Sequence, residues 1–254
     1  MQLKTITTER LVTEIYETRE EMGKAAGKAA AEAINRVIAE KGVANVIFAA
    51  APSQNETLAA LLCEDVDFTK IHAFHMDEYV GLGLEEKQSF ASYLTDHLFS
   101  KAPFASVNLI PAKLEIPEAC AHYTRLLTEC PPDVVCMGIG ENGHIAFNDP
   151  PVADFHDPAL IKPVELDEIC RMQQVHDGCF PTLADVPRYA LTLTVPALMS
   201  AKALICTVPA ATKADAVLAM LTGEYGEVCP ATALRKHENA RMFLDRDSAS
   251  KVLS

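Results

Sequence analysis

DVVCMGIGENGHIAFNDP, residues 133–150, is the stretch on which the reading of this chain turns. Val134–Met137 is a short apolar run preceded by Pro131 and Pro132, the pattern of a buried strand with a breaker ahead of it. Gly138, Gly140 and Gly143 then punctuate a tight loop, where the backbone needs positive φ or room for a neighbour. His144 follows at once, and Asn148, Asp149 and Pro150 close the segment. In an open α/β sheet, ligands bind beyond the carboxyl ends of the strands. A glycine-rich loop carrying a histidine and a carboxylate there is a candidate site. On spacing alone, the same glycines also suit an ordinary turn with a hydrogen-bonded loop histidine.

Outward from this stretch, buried strands are expected at Val46–Ala51, Ile71–Met76, Tyr189–Val195, Ala203–Val208 and Ala240–Leu244. Glu20–Lys41 reads as a long helix, alanine-rich over Lys24–Ala33 and stopped by Gly42. Thr7 or Thr8 is expected to cap a shorter helix before it. After the strand at Val46, the turn Pro52-Ser53-Gln54-Asn55 leads into a helix carrying Leu58, Leu61 and Leu62. Free amides and a helix dipole there suit a phosphate, although Ser53 equally suits a plain helix cap. Further helices are expected at Gln88–Ser100 and Glu118–Glu129, while Pro151–Leu183 shows weak periodicity. Strands alternating with helices imply a mostly parallel sheet covered on both faces. No linker, charge block or repeat divides the chain, so one domain over residues 1–254 is expected.

Composition narrows the function. With 49% hydrophobic residues among 254, a sizeable core is available. A formal charge of −13 argues against nucleic acid and against an anionic membrane as partners. A small phosphorylated molecule needs only a few local cations and amides, and a homo-oligomer is compatible with this charge. No run of about 18 apolar residues occurs, and MQLKTITTER lacks an apolar signal core. Eight cysteines show neither a C-x-x-C pair nor zinc spacing, so they read as small buried hydrophobes of a reducing cytoplasm. His72 and His75 are taken to share one strand face, but no third ligand accompanies them, and no metal is expected. No dinucleotide loop with a downstream ribose carboxylate is found, so NAD is not expected either.

The string Gly143-His144-Ile145-Ala146-Phe147-Asn148-Asp149-Pro150 resembles the G-H-I-[AG]-F-N-E-P loop of the glucosamine-6-phosphate deaminase (isomerase) family. Met76-Asp77-Glu78-Tyr79-Val80-Gly81-Leu82 resembles that family's M-D-E-Y-x-G-L. Thr212–Val217 and Pro230–Leu234 are similar to its S-K-A-x-A-V and P-A-S-x-L, so the likeness runs from about Ala44 to the C-terminus. It implies a Rossmann-like three-layer α/β/α sandwich. It also implies isomerisation and deamination of glucosamine 6-phosphate to fructose 6-phosphate and ammonia, with no cofactor. By the same resemblance, Asp77 moves the C2 proton to C1 and His144 opens the sugar ring. Asp149, one methylene shorter than the family's glutamate, and Asn142 support His144. Ser53, Gln54, Gly143, Arg171 and Lys213 are expected to hold the substrate and its phosphate.

Two departures stand out. Ala49-Ala50-Ala51-Pro52-Ser53-Gln54 replaces a glycine-rich A-T-G-G-T-P, and Pro52 removes an amide donor. Within the implied lid-like flap, Arg171 is kept from R-x-x-x-A-R-x-F, but Gly178 stands near the second arginine's place, with Arg171, His176 or Arg188 as substitutes. These departures keep three alternatives in view: galactosamine 6-phosphate as substrate, a 6-phosphogluconolactonase, and a sugar-phosphate sensor of weakened catalysis.

Overall fold

Val134–Met137 is buried at every position, which commits it to the interior of a sheet covered on both faces. The computed structural model, which describes residues 1–176 and 178–253, places it so. The chain opens with a hairpin, β1 (Gln2–Thr8) and β2 (Leu11–Tyr16), and then forms α1 (Arg19–Lys41), β3 (Ala44–Phe48), α2 (Asn55–Leu61) and β4 (Ile71–His75). Next come β5 (Asp77–Tyr79), α3 (Phe90–Leu94), β6 (Ser106–Asn108), α4 (Ile116–Glu129) and β7 (Val134–Met137). The remainder is β8 (Ile161–Glu165), α5 (Glu168–His176), β9 (Tyr189–Leu193), α6 (Val195–Met199), β10 (Ala203–Val208), α7 (Ala214–Thr222), β11 (Ala240–Asp245) and α8 (Ser250–Leu253).

Eight strands form one sheet in the order β1-β2-β11-β10-β7-β3-β4-β6. β1 and β2 pair antiparallel, and every other neighbouring pair is parallel. Side chains alternate between two cores, as the period of a strand requires. Ile47, Val135, Leu204, Cys206 and Met242 pack on one side with Tyr123 of α4 and Val217 of α7. Val46, Phe48, Cys136, Ile205 and Phe243 pack on the other with Ile34 of α1 and Leu58 of α2. The result is a three-layer α/β/α sandwich, the architecture that the resemblance implied.

Two elements differ from the sequence reading. Thr7 and Thr8 cap no helix; they end β1, and Glu9 turns the hairpin at φ 54°. The cause is the period-two burial of Leu11, Thr13 and Ile15, which pairs β2 with β11 and overrides a local capping preference. β9 is a strand, but it joins a second, antiparallel sheet in the order β5-β9-β8 rather than the main one. That small sheet grows from the carboxyl end of β4, where Met76 leads into β5 and its carbonyl accepts from Leu193 N at 2.8 Å.

The glycines and alanines of α1 do more than favour a helix. A Cβ on Gly27 would stand 2.5 Å from Cβ of Ala60, and one on Gly23 would stand 2.3 Å from Cβ of Glu56. The backbones of α1 and α2 are therefore nearly in contact, and no side chain fits between them. Gly27→Val should lower stability by overpacking, with a melting temperature lower by about 2–12 °C in a thermal scan. An unchanged melting temperature would contradict this close approach.

Candidate active site

The order of the main sheet reverses beside β3. From β3 the chain builds outward to β4 and β6, then returns to β7 on the other side of β3 and continues to β10 and β11. Loops diverge at such a switch point and leave a crevice at the carboxyl ends of the strands. A cavity lies there, lined by Ala49–Gln54 after β3, Met76 and Asp77 after β4, and Gly138–Gly140, His144, Ala146 and Phe147 after β7. Pro209, Ala210, Thr212 and Lys213 after β10 complete it, together with Arg19, Phe90, Gln173 and Gln174.

His144 is buried at its wall, with Nδ1 2.9 Å from Oδ1 of Asp149. The contact is a close ion-pair approach rather than a well-aligned hydrogen bond. The same Oδ1 accepts from Asn142 Nδ2 at 2.9 Å, and Asn142 Oδ1 accepts from His144 N at 3.0 Å. Holding Nδ1 against a carboxylate leaves Nε2 for the cavity. Burial pushes the Asp149 carboxyl up, but His144 and Asn142 outweigh it and hold it below the ordinary value. Asp149 is thus an anion behind the ring, able to stabilise an imidazolium. A Cβ on Gly140 would lie 2.1 Å from Cε1 of His144, so the ring seats on bare backbone. Gly143 turns the loop at φ 81°, with Sγ of Cys229 where its side chain would be. Gly138, Gly140 and Gly143 carry the G-x-G-x-x-G spacing that the cofactor reading passed over. The chain after them enters a tight turn bridging Ile145 and Asn148 rather than the helix a dinucleotide loop requires.

Asp77 reaches the cavity from β5. Burial, then the neighbouring charge of Glu78, pushes its carboxyl well above the ordinary range. Glu78 itself faces the other way and caps α3. Its Oε1 accepts from Tyr79 N and Phe90 N at 2.9 and 3.1 Å, and its Oε2 from Ala91 N at 2.8 Å. Burial pushes Glu78 up to about 7 against those three donors.

Of the expected phosphate contacts, Ser53, Gln54 and Lys213 line the cavity. Gln54 Nε2 donates to Thr207 O and Ser53 Oγ, both at 3.2 Å, tying the loop after β3 to β10 across the bare Gly138. Lys213 is buried at the turn entering α7. Asn142, Asp149 and Gly143 stand behind the wall. Arg171 is not brought to the cavity: its NH2 group donates to Leu183 O and Val186 O at 2.7 and 2.8 Å, which pins α5 to the segment after it. His72 and His75 are three residues apart and hold separate partners, Ser106 Oγ and Ile110 N, so they form no pair.

Several lining residues escaped the sequence reading. Arg19 lies before the region of the motifs, and Gln173 and Gln174 sit in a weakly patterned stretch. Gln173 Oε1 accepts from Glu141 N at 2.9 Å, so α5 clasps the glycine loop. Cys170 was also missed: His144, Asp149 and Cys170 each bring a ligand atom within 4.8 Å of the others, a set drawn together by the fold alone. Among the described residues, no helix is long and apolar enough to cross a membrane.

The chain is similar to known proteins over most of its length. The family described as glucosamine-6-phosphate isomerases/6-phosphogluconolactonase matches residues 17–243, so the likeness begins well before Ala44. A glucosamine-6-phosphate deaminase of Bacillus cytotoxicus is 33% identical over 238 residues, covering 93% of this chain and 87% of the relative. One from Bacillus cereus strain G9842 is 37% identical over 188 residues, covering 73% and 69%. Among solved structures, a monomeric glucosamine-6-phosphate deaminase superposes with a TM-score of 0.86 at 28% identity, covering 94% of this chain and 99% of its own. The 6-phosphogluconolactonase of Thermotoga maritima shares the fold, with a TM-score of 0.76 at 20% identity, covering 92% and 99%.

Proposed function

The chain belongs to the glucosamine-6-phosphate isomerase/6-phosphogluconolactonase family, and we propose that it converts glucosamine 6-phosphate and water to fructose 6-phosphate and ammonia. One observation carries this reading: a single cavity holds two separate proton-handling groups, the buried carboxyl of Asp77 and the carboxylate-backed His144. Opening a lactone requires an activated water but no proton transfer between neighbouring carbons. An aldose–ketose isomerisation requires that transfer, and Asp77 is the group that supplies it.

In this reading, His144 Nε2 relays the proton between the anomeric hydroxyl and the ring oxygen, and the ring opens to the aldehyde. Asp77 takes the proton from C2, and a proton is then placed on C1. The nitrogen is left doubly bonded to C2. Water adds at C2 and ammonia leaves, giving the ketose phosphate. Asp149 and Asn142 position His144, while Ser53, Gln54 and Lys213 receive the phosphate.

Asp77 must be ionised to accept the C2 proton. Because its pKa is raised, activity should fall with decreasing pH at a value above the ordinary carboxylate range of about 4. Asp77→Asn should retain substrate binding and lose about 10²–10⁴-fold in rate. Solvent deuterium exchange at C2, followed by NMR, is the direct measurement. Wild-type exchange in the variant would remove Asp77 from this role.

Substrate identity is tested by offering glucosamine 6-phosphate, galactosamine 6-phosphate and 6-phosphogluconolactone separately. Ammonia release from the gluco sugar and no acceleration of lactone opening are expected. Lactone hydrolysis without ammonia would sink the deaminase reading, and tight binding without turnover would make the protein a sensor.

A further inference from the structure

The flap has no second arginine, and Arg171 is spent on two backbone carbonyls. The loop after β3 has also lost the amide of residue 52 to proline. Yet a guanidinium reaches the cavity from an unexpected direction. Arg19 opens α1, just after the capping Thr18, and its side chain crosses to the loop that Pro52 interrupts. There its Nε lies 2.8 Å from Oε1 of Glu56 on α2, and its NH2 group donates to Pro52 O. The close packing of α1 on α2 at Gly23 brings Glu56 under it. A guanidinium has five N–H donors in a fixed fork. One faces Glu56 and one serves Pro52, so three remain for a ligand. The side chain is 36% exposed, open enough for a solute to reach.

We propose that Arg19 is a ligand of the substrate's phosphate, standing in for the arginine that the flap lacks; this rests on the deaminase reading above. The carbonyl of the residue that removed an amide donor now orients a stronger, charged one. Glu56 holds the guanidinium as an ion-pair partner, and Ser53, next to Pro52, lies on the same stretch of wall. Arg19 thereby sets the preference for a phosphorylated over an unphosphorylated amino sugar.

The test compares wild type, Arg19→Gln and Arg19→Lys by steady-state ammonia release with glucosamine 6-phosphate and with glucosamine. Competition by inorganic phosphate is measured alongside. Arg19→Gln should raise KM for glucosamine 6-phosphate about 10–100-fold, the range of one charge-assisted hydrogen-bond pair, with kcat within about threefold. Inhibition by inorganic phosphate should weaken by a similar factor, and kcat/KM for glucosamine should not follow. Arg19→Lys keeps the charge but not the fork, so its KM should fall between those of the other two. Equal losses on both sugars, or undiminished competition by phosphate, would reduce Arg19 to a brace for the loop and overturn the proposal. Should the wild type release no ammonia, the deaminase reading fails separately. Arg19 is then judged by calorimetric titration with inorganic phosphate, where an unchanged Kd in Arg19→Gln rejects it and a weaker one upholds it.

Discussion

A parallel sheet cannot be built with tight turns, because each strand must be followed by a crossover to the far end before the next begins. Those crossovers share one hand, so a chain that covers both faces must reverse its direction of growth once. Here the reversal falls between β3 and β7. β3, β7 and β10 have no exposed residue, and each buried aliphatic side chain contributes roughly 1.5–3 kcal/mol. Such strands exclude ionised groups from their length. Charge gathers beyond their carboxyl ends, where Asp77, His144 and Lys213 stand. The site is located by where the apolar runs stop.

Burial alone does not assign roles within that site. Asp77 and Asp149 are the same residue type, 7% and 1% exposed, and their pKa values move in opposite directions. Asp149 faces an imidazole and an amide, which outweigh its loss of water. Asp77 has the negative Glu78 beside it, which adds to the loss. One carboxyl is held toward its ionised form and the other is made more basic than an ordinary carboxylate. His75 shows the opposite limit: burial with only an amide donor beside it lowers it to about 3, so it is a neutral acceptor for Ile110 N. The partner, rather than depth, separates structural from chemical groups.

The parallel core was legible because its strands are long apolar runs between breakers, and the two motifs placed Asp77 and His144 on their carboxyl ends. Tyr189–Val195 read as a strand and Tyr189–Leu193 forms one, but its sequence cannot say which sheet it joins, since Ala190–Leu193 are buried on both faces, as in a strand of the main sheet. The hairpin at Thr8–Leu11 was obscured by threonines that suit caps and strands alike. Arg19 lines the cavity and Arg171 does not, for a physical reason. A guanidinium goes to whichever carbonyls and carboxylates the fold brings near, and sequence separation holds no record of that. The gathering of Cys170 beside His144 and Asp149 depends on α5 folding back, and that helix has weak periodicity.

The small second sheet explains how Asp77 and His144, on different segments, hold a fixed separation. Asp77 on β5 is directly opposite Thr192 on β9. The hydroxyl of Thr192 accepts from Phe147 N at 3.0 Å, three residues beyond His144. Asn148 Nδ2 donates to Leu193 O at 2.8 Å and to Ile145 O at 2.9 Å, fastening the same turn to the same strand. Ala146 is held at φ 49°, a left-handed conformation uncommon for a residue with a side chain, so the turn is over-determined by these bonds. β9 therefore serves as a rule between the two segments, paired along one edge with Asp77 of β5 and fastened to the His144 turn through the Thr192 hydroxyl and the Leu193 carbonyl. Proton transfer demands placement to within a fraction of an ångström, and loops hung separately from the main sheet do not supply it. The strand that the sequence assigned to the core sheet is the one that aligns Asp77 with the His144 turn.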